Sequence, residues 1–353
     1  MTRKKIAIAC QGGGSQTAFT AGVLKSFFEA NVHEKRQIVS LSGTSGGAVC
    51  ASLAWHGLLR AAKGDKSPIQ DRLTSFWNEL SAQFTSEISL DAVLTQWMRV
   101  IDKGVWPRFE ISPASSISQW ALDYTRNLLP RHEFTDLKLM LEKHIDFEAL
   151  RNLVEPHSPV LLVGAAEVLT GELKVFNTRE EPLCVEAILA SAAVPSLFPA
   201  VKIGENYYWD GLFSDNPPLK ELIRPRMVGG ENVPDEIWVI QINSDRCKSV
   251  PTSPCEIIDR RNQMIGNLSL RQSLEYVELV NIFLRENILT EEVLHRLGVT
   301  LHAPIDVHFV RMSEQLQDSL DYVSKLSREP THITRLIEDG EKQGSEFLHL
   351  LGL

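Results

Sequence analysis

Ser42-Gly43-Thr44-Ser45-Gly46-Gly47-Ala48 is the stretch on which the reading of this chain turns. Ahead of it, Gln37-Ile38-Val39-Ser40-Leu41 is a short apolar run with the character of a buried strand. Behind it, Ala48-Val49-Cys50-Ala51-Ser52-Leu53-Ala54-Trp55 reads as a helix. Gly43-Thr44-Ser45-Gly46-Gly47 matches G-x-S-x-G, the nucleophile elbow, in which a serine on a strained turn exposes its hydroxyl at the end of a sheet. Gly43 and Gly47 keep bulk away from the point where strand meets helix. The competing reading is a glycine-rich turn with a solvated serine, and the rest of the chain has to decide between them.

A second glycine cluster, Gln11-Gly12-Gly13-Gly14-Ser15-Gln16-Thr17, sits between the strand at residues 5 to 10 and a helical stretch over residues 18 to 28. Phe19, Gly22, Val23 and Phe27 fall on one face of that helix. Free backbone N–H groups and the helix dipole favour negative charge at such a helix start. A nucleotide P-loop is excluded because G-x-x-x-x-G-K-[ST] is absent, and Thr17 stands where a dinucleotide fingerprint needs its last glycine. The functional reading left is an oxyanion hole built from Gly12, Gly13 and Gly14; the structural one is a tight turn.

Residues 64 to 135 hold short amphipathic helices carrying Trp77, Trp97, Trp106 and Trp120, broken at Pro107, Pro113 and Pro130. They form either an apolar-ligand groove or lid, or the packed core of an inserted helical subdomain, and core packing is the preferred reading. Further on, Val160 to Ala166 and Glu172 to Phe176 read as a hairpin through Leu169-Thr170-Gly171, and residues 186 to 193 as a small-residue helix ended by Pro195. Tyr207-Tyr208-Trp209 leads into Asp210-Gly211-Leu212-Phe213-Ser214-Asp215-Asn216-Pro217-Pro218, an acid followed by a glycine turn. Buried strands follow at 236 to 242 and 305 to 310, with helices over 256 to 290 and 331 to 351. Alternating strands and helices predict a three-layer α/β/α sandwich around a mainly parallel sheet.

With 43% hydrophobic and 23% charged residues, the 353-residue chain has the composition of a soluble globular protein. A net charge of −9 with no block of like charge excludes nucleic acid as an expected partner. Five scattered cysteines, never spaced C-x-x-C, read as reduced thiols of a cytoplasmic protein. No apolar run approaches the ~18 residues of a membrane span, so membrane contact is expected to be peripheral.

Three islands thus stand in order: Gly12-Gly13-Gly14, Gly43-Thr44-Ser45-Gly46-Gly47, and Asp210-Gly211 preceded by Ala190-Ser191-Ala192-Ala193-Val194-Pro195-Ser196-Leu197-Phe198-Pro199. Their joint order over residues 5 to 225 resembles the patatin-like phospholipase family. The resemblance implies a Ser–Asp dyad with Ser45 as nucleophile and Asp210 as base, Gly12, Gly13 and Gly14 as the oxyanion loop, and Gly211 as part of the acid motif. It also implies a single patatin-like domain spanning residues 1 to 353, with a helical insertion at about 64 to 135 and an extension over 226 to 353. Where members often carry an acid before the glycines and Arg or Lys after them, this chain has Gln11, Gln16 and Thr17.

The chemistry has a residue-level basis of its own, since a serine hydroxyl needs a neighbouring base and the developing oxyanion needs preset donors. His302 and His308 come late enough to serve as the base of a triad in the order Ser, acid, His. Packing around a strand is their plainer role, and a metal site at His302, Asp306 and His308 lacks a fourth ligand. The expectation is a serine acyl-ester hydrolase of lipid or lysolipid esters, working with no cofactor and no metal. An acyltransferase or thioesterase on the same dyad, and a catalytically silent binding module of the same fold, are the alternatives.

Overall fold

The structure, a computed structural model, describes residues 3–102, 112–195, 197–247, 249–296, 298, 301 and 303–353. Trp106, Pro107, Ser196 and His302 lie outside the described residues. The strands are β1 (Lys5–Cys10), β2 (Gln37–Thr44), β3 (Val160–Glu167), β4 (Leu173–Asn177), β5 (Val201–Ile203), β6 (Asn206–Asp210), β7 (Glu236–Gln241) and β8 (Asp306–Arg311). They form one sheet in the order β5-β6-β3-β2-β1-β7-β8, with β4 also paired to β3. β3, β2, β1, β7 and β8 run parallel to one another, while β4 and β6 pair antiparallel to β3, and β5 antiparallel to β6.

Strands covered on both faces need apolar residues at every position, which is why β1 and β7 read as continuous hydrophobic runs. Ile6, Ile8 and Cys10 enter a core with Phe19, Leu24 and Trp55, beneath the helices Ala18–Glu29, Gly46–Ala62 and Pro330–Leu350. Ala7 and Ala9 point the other way, into a second core with Leu222, Val239 and Leu270 under the long helix Pro254–Arg285. Two cores on opposite faces of one sheet are the three-layer sandwich the sequence predicts. The helix Ile69–Leu80 buries Leu73, Phe76 and Trp77 in the first of these cores, so the helical insertion begins as part of the main body.

The register of β3 brings the elbow serine to the acid. Ala165 and Ala166 pair with β4 on one edge, so β6, which pairs Asp210 to Ala165 and Trp209 to Ala166, has to use the other. That edge already holds β2, with Thr44 opposite Gly164. β2 and β6 therefore lie end to end along β3, and the residue after Thr44 meets the last residue of β6.

The first and last helices cross at close range. A Cβ on Gly22 would collide with the Ile337 carbonyl, and one on Gly340 with the Phe19 carbonyl, so backbone packs on backbone. Gly340→Val should cost about 3 kcal/mol, the upper range for overpacking a tight contact. Urea unfolding at constant m-value measures this; a loss under about 0.5 kcal/mol, the size of an ordinary surface effect, would mean that the crossing yields.

Candidate active site

Ser45 joins β2 to the helix Gly46–Ala62 with φ 57° and ψ −132°, a conformation that costs a side-chain-bearing residue energy. Its carbonyl accepts the first helical N–H groups, from Ala48 at 2.9 Å and Val49 at 3.3 Å. Its own N–H donates to the Ser191 hydroxyl at 2.9 Å, and that hydroxyl donates to the Gly164 carbonyl at 2.6 Å. Only a group that both accepts and donates can bridge these two backbone atoms. Ser191 thus ties the strained turn to β3. Its role is not legible inside the run of small residues before Pro195, because nothing local reveals a bond spanning 146 residues.

Asp210 ends β6 with 1% of its surface exposed. Its Oδ1 accepts from the Leu212 N–H at 2.8 Å. Burial pushes its pKa up to about 7, against the pull of that amide and of the neighbouring Ser45 hydroxyl. No histidine bonds to either residue among the described ones. His308 sits in β8, three strands from β2, with its ring edge-on to Phe347 at 6.2 Å. The metal reading has no support among the described residues, where no group of three candidate ligands converges.

The glycine loop lies directly over the elbow. A Cβ on Gly12 would fall 2.7 Å from the Ser45 Cβ, so only glycine lets the two segments approach. The Gly12 N–H donates to Asn216 Oδ1 at 2.7 Å, and its carbonyl accepts from Asn243 Nδ2 at 3.2 Å and Asn216 Nδ2 at 3.4 Å. The Gly13 and Gly14 N–H groups bond to nothing among the described residues. The Gly12 carbonyl and the Gly13 N–H belong to one planar unit and point oppositely, so holding the first aims the second. Gln11 anchors the loop from behind: its Oε1 accepts from Ile242 and Asn243 N–H at 2.9 and 2.8 Å, and its Nε2 donates to Asn267 Oδ1 at 3.1 Å. A carboxylate could accept those amides but could not donate, which is the local reason for an amide here.

The sequence profile of the patatin-like phospholipases matches residues 8–223. The chain belongs to the patatin-like phospholipase family. No curated protein matches the sequence. Among solved structures, VipD from Legionella pneumophila is similar at 15% identity and TM-score 0.44, over 99% of this chain and 67% of that one. The ExoU–SpcU complex of the Pseudomonas aeruginosa type III secretion system is similar at 16% identity and TM-score 0.36, over 99% of this chain and 51% of that one.

In this patatin-like chain Ser45 and Asp210 open onto a cavity of about 240 Å³. Val49, Phe76, Trp77, Leu80, Leu197 and Phe198 supply apolar wall, and residues of 322–328 close another side. A larger hollow of about 690 Å³ lies outside the long helix, around Arg261 and Met264, and holds neither Ser45 nor Asp210. Size alone does not locate the chemistry. Core packing is right for Trp77, 2% exposed with its N–H on Cys50 Sγ, but not for Trp97 and Trp120, which are 49% and 67% exposed. Both stand on amphipathic helices whose apolar stripes the described residues do not cover in full, a distinction periodicity alone does not carry.

Ser191→Ala strips partners from two buried backbone groups at once, the Ser45 N–H and the Gly164 carbonyl. Stability should fall by about 1–3 kcal/mol, the penalty for stranded buried polar groups. Chemical denaturation measures it, and an unchanged midpoint would show that the hydroxyl bridge is not needed to hold the elbow.

Proposed function

We propose that the protein is a serine hydrolase of lipid acyl esters working through Ser45 and Asp210. The observation that carries this reading is a buried carboxyl that strand register brings to the elbow serine in the wall of one cavity, with no histidine bonded to either among the described residues. The Ser45 hydroxyl attacks the ester carbonyl carbon as Asp210 takes its proton. The carbonyl oxygen, now an oxyanion, is met by the Gly13 and Gly14 N–H groups, since the Gly12 N–H is already engaged. Collapse breaks the ester bond; the leaving alcohol takes the proton from Asp210, and the acyl group stays on Ser45. Water, deprotonated by Asp210, then releases the fatty acid and restores the serine. A carboxyl near pH 7 in affinity can both accept and return a proton at neutral pH.

No helix among the described residues is long and apolar enough to cross a membrane, so a lipid ester would be taken from a surface or an aggregate. The apolar cavity suits the acyl chain, and exposed Trp97 and Trp120 suit an interface where one end of a side chain is wet.

A fluorophosphonate probe should label the native protein and not Ser45→Ala. Asp210→Asn should lose turnover nearly as completely as Ser45→Ala, with the double variant no worse. Since the ionised carboxylate is the base, kcat/KM should rise about tenfold per pH unit below the Asp210 pKa of about 7 and level off above it. A profile flat from pH 5 to 9 would sink the direct-base assignment.

The same residue makes a stability prediction of opposite sense. Its folded pKa of about 7 lies above an unfolded value of about 3.9, so between them the native state binds more protons. Native stability therefore falls as pH rises through that window. Asp210→Asn escapes the cost, and its stability relative to the native protein should grow by on the order of 4 kcal/mol between pH 4 and pH 8. A stability difference independent of pH would place the raised affinity elsewhere.

A further inference from the structure

The cavity beside the dyad is apolar on one side and polar on another, and Asn243, Asn262, Lys325 and Arg328 on the polar side come from outside 8–223. Residues 322–328 pack on the glycine loop: the Gly14 Cα lies against the Lys325 carbonyl, and Gln16 Nε2 donates to Ser324 Oγ at 2.9 Å. That docking puts Lys325 in the cavity wall with only 14% of its side chain exposed. The ammonium has three N–H groups. One donates to Asp259 Oδ1 at 2.7 Å and another to Asn243 Oδ1 at 3.3 Å, which leaves a third without a partner among the described residues. Asn262, one turn along the long helix from Asp259, lines the same cavity, and its Oδ1 is buried with no hydrogen-bond partner. Arg328 adds a second cation to the wall, held by the Phe134 carbonyl and stacked 4.7 Å over its ring. Carboxylates are present too: Asp259, shared between Lys325 and the Gln263 amide, and Glu133 across the cavity.

A buried acceptor with nothing to accept from costs free energy until a ligand donates to it. A cation with a spare N–H in the same wall is suited to an oxygen anion. We propose that Lys325 and Asn262 form a head-group subsite, which takes the phosphate of a phospholipid on the ammonium and a head-group hydroxyl on the amide. The acyl chain then occupies the apolar wall at Phe76, Trp77 and Leu80, and the ester lies between, at Ser45. This inference rests on the hydrolase reading only in taking the cavity as the place where substrate binds. The subsite belongs to the C-terminal part of the chain, so substrate choice and chemistry come from different stretches of sequence.

The rival role for Lys325 is a latch, in which its bond to Asp259 merely clamps residues 322–328 to the long helix. The two roles make opposite demands on Asp259. Removing the carboxylate breaks a latch, but frees the ammonium for a phosphate. Titration calorimetry on the 353-residue Ser45→Ala protein, where no turnover intrudes, can compare monomeric lysophosphatidylglycerol with the monoacylglycerol of the same chain. The lysophospholipid should bind at least about tenfold tighter, the worth of one charge-assisted hydrogen bond. Lys325→Met should bring the ratio near one, Asn262→Asp should lower it by like-charge repulsion, and Asp259→Asn should raise it.

Equal affinity for the two lipids in the parent protein would overturn the proposal. So would Lys325→Met and Asp259→Asn shifting the ratio in the same direction, which is the signature of a latch. If Lys325→Met does not fold, Asn262→Asp and Asp259→Asn still have to move the ratio oppositely. Inorganic phosphate provides the remaining arm. Displacement of the lysophospholipid but not of the monoacylglycerol supports the subsite; phosphate binding with no preference between the lipids assigns the cation to free phosphate esters and overturns the head-group role. A native protein that keeps the lipid preference but hydrolyses no ester would sink the hydrolase reading while leaving the subsite standing.

Discussion

Because β4 fills one edge of β3, β2 and β6 are obliged to share the other, and their ends meet between Gly164 and Ala165. Ser45 leaves the sheet there from one side and Asp210 arrives from the other, although 165 positions separate them in sequence (210 − 45). A pairing slip of one residue in either strand would turn its side chains to the opposite face and separate the hydroxyl from the carboxyl. The meeting of Ser45 and Asp210 is thus a property of strand register before it is a property of two side chains. Gly211, the residue after the acid, fits this junction because a Cβ there would lie 2.5 Å from the Gly164 carbonyl.

Ser45 and Asp210 are both held in states that their own physics opposes. Ser45 carries a positive φ without being glycine, and Asp210 is a carboxyl removed from water. Such states persist only where the surroundings over-determine them. Here the restraint is a ring of neutral hydrogen bonds: Ser191 on the Ser45 amide, the Leu212 amide on Asp210, and Asn216 with Asn243 on both polar atoms of Gly12. No salt bridge takes part among the described residues in that ring. A full charge placed beside Asp210 would move its proton affinity away from neutrality, and the neutral donors around it leave burial as the cause that dominates.

Sequence reading reaches these parts unequally. The elbow, the glycine run and the strands are legible because each is a local pattern: a turn that only glycines allow, or an apolar run of strand length. The order of islands was enough for the family and for a parallel sheet. The supporting polar residues are not legible. Ser191, Asn216, Asn243 and Asn267 look like ordinary small polar residues, and their meaning lies in bonds to partners far away in the chain. Helical periodicity likewise marks an apolar face without saying what covers it. Trp77 packs in the main core while Trp97 and Trp120, on helices of similar pattern, stay substantially exposed.

Residues 8–223 contain the serine, the acid and the glycines, yet much of what fixes their geometry comes later in the chain. β7 pairs with β1 along its length, and the chain leaving β7 delivers the Ile242 and Asn243 amides to Gln11 and the Asn243 side chain to Gly12. The long helix sends Asn267 to Gln11 and packs Gly266 against Asn216, where a Cβ would come within 3.0 Å of the amide that clamps the loop. The aim of the Gly13 N–H is therefore decided by contacts made more than 200 residues downstream, through one carbonyl. Chemistry-bearing groups can be compact in sequence because each must sit on a turn or strand end. The groups that orient them carry no such restriction, and the fold draws them from wherever the sheet and its covering helix bring backbone amides and carbonyls within reach.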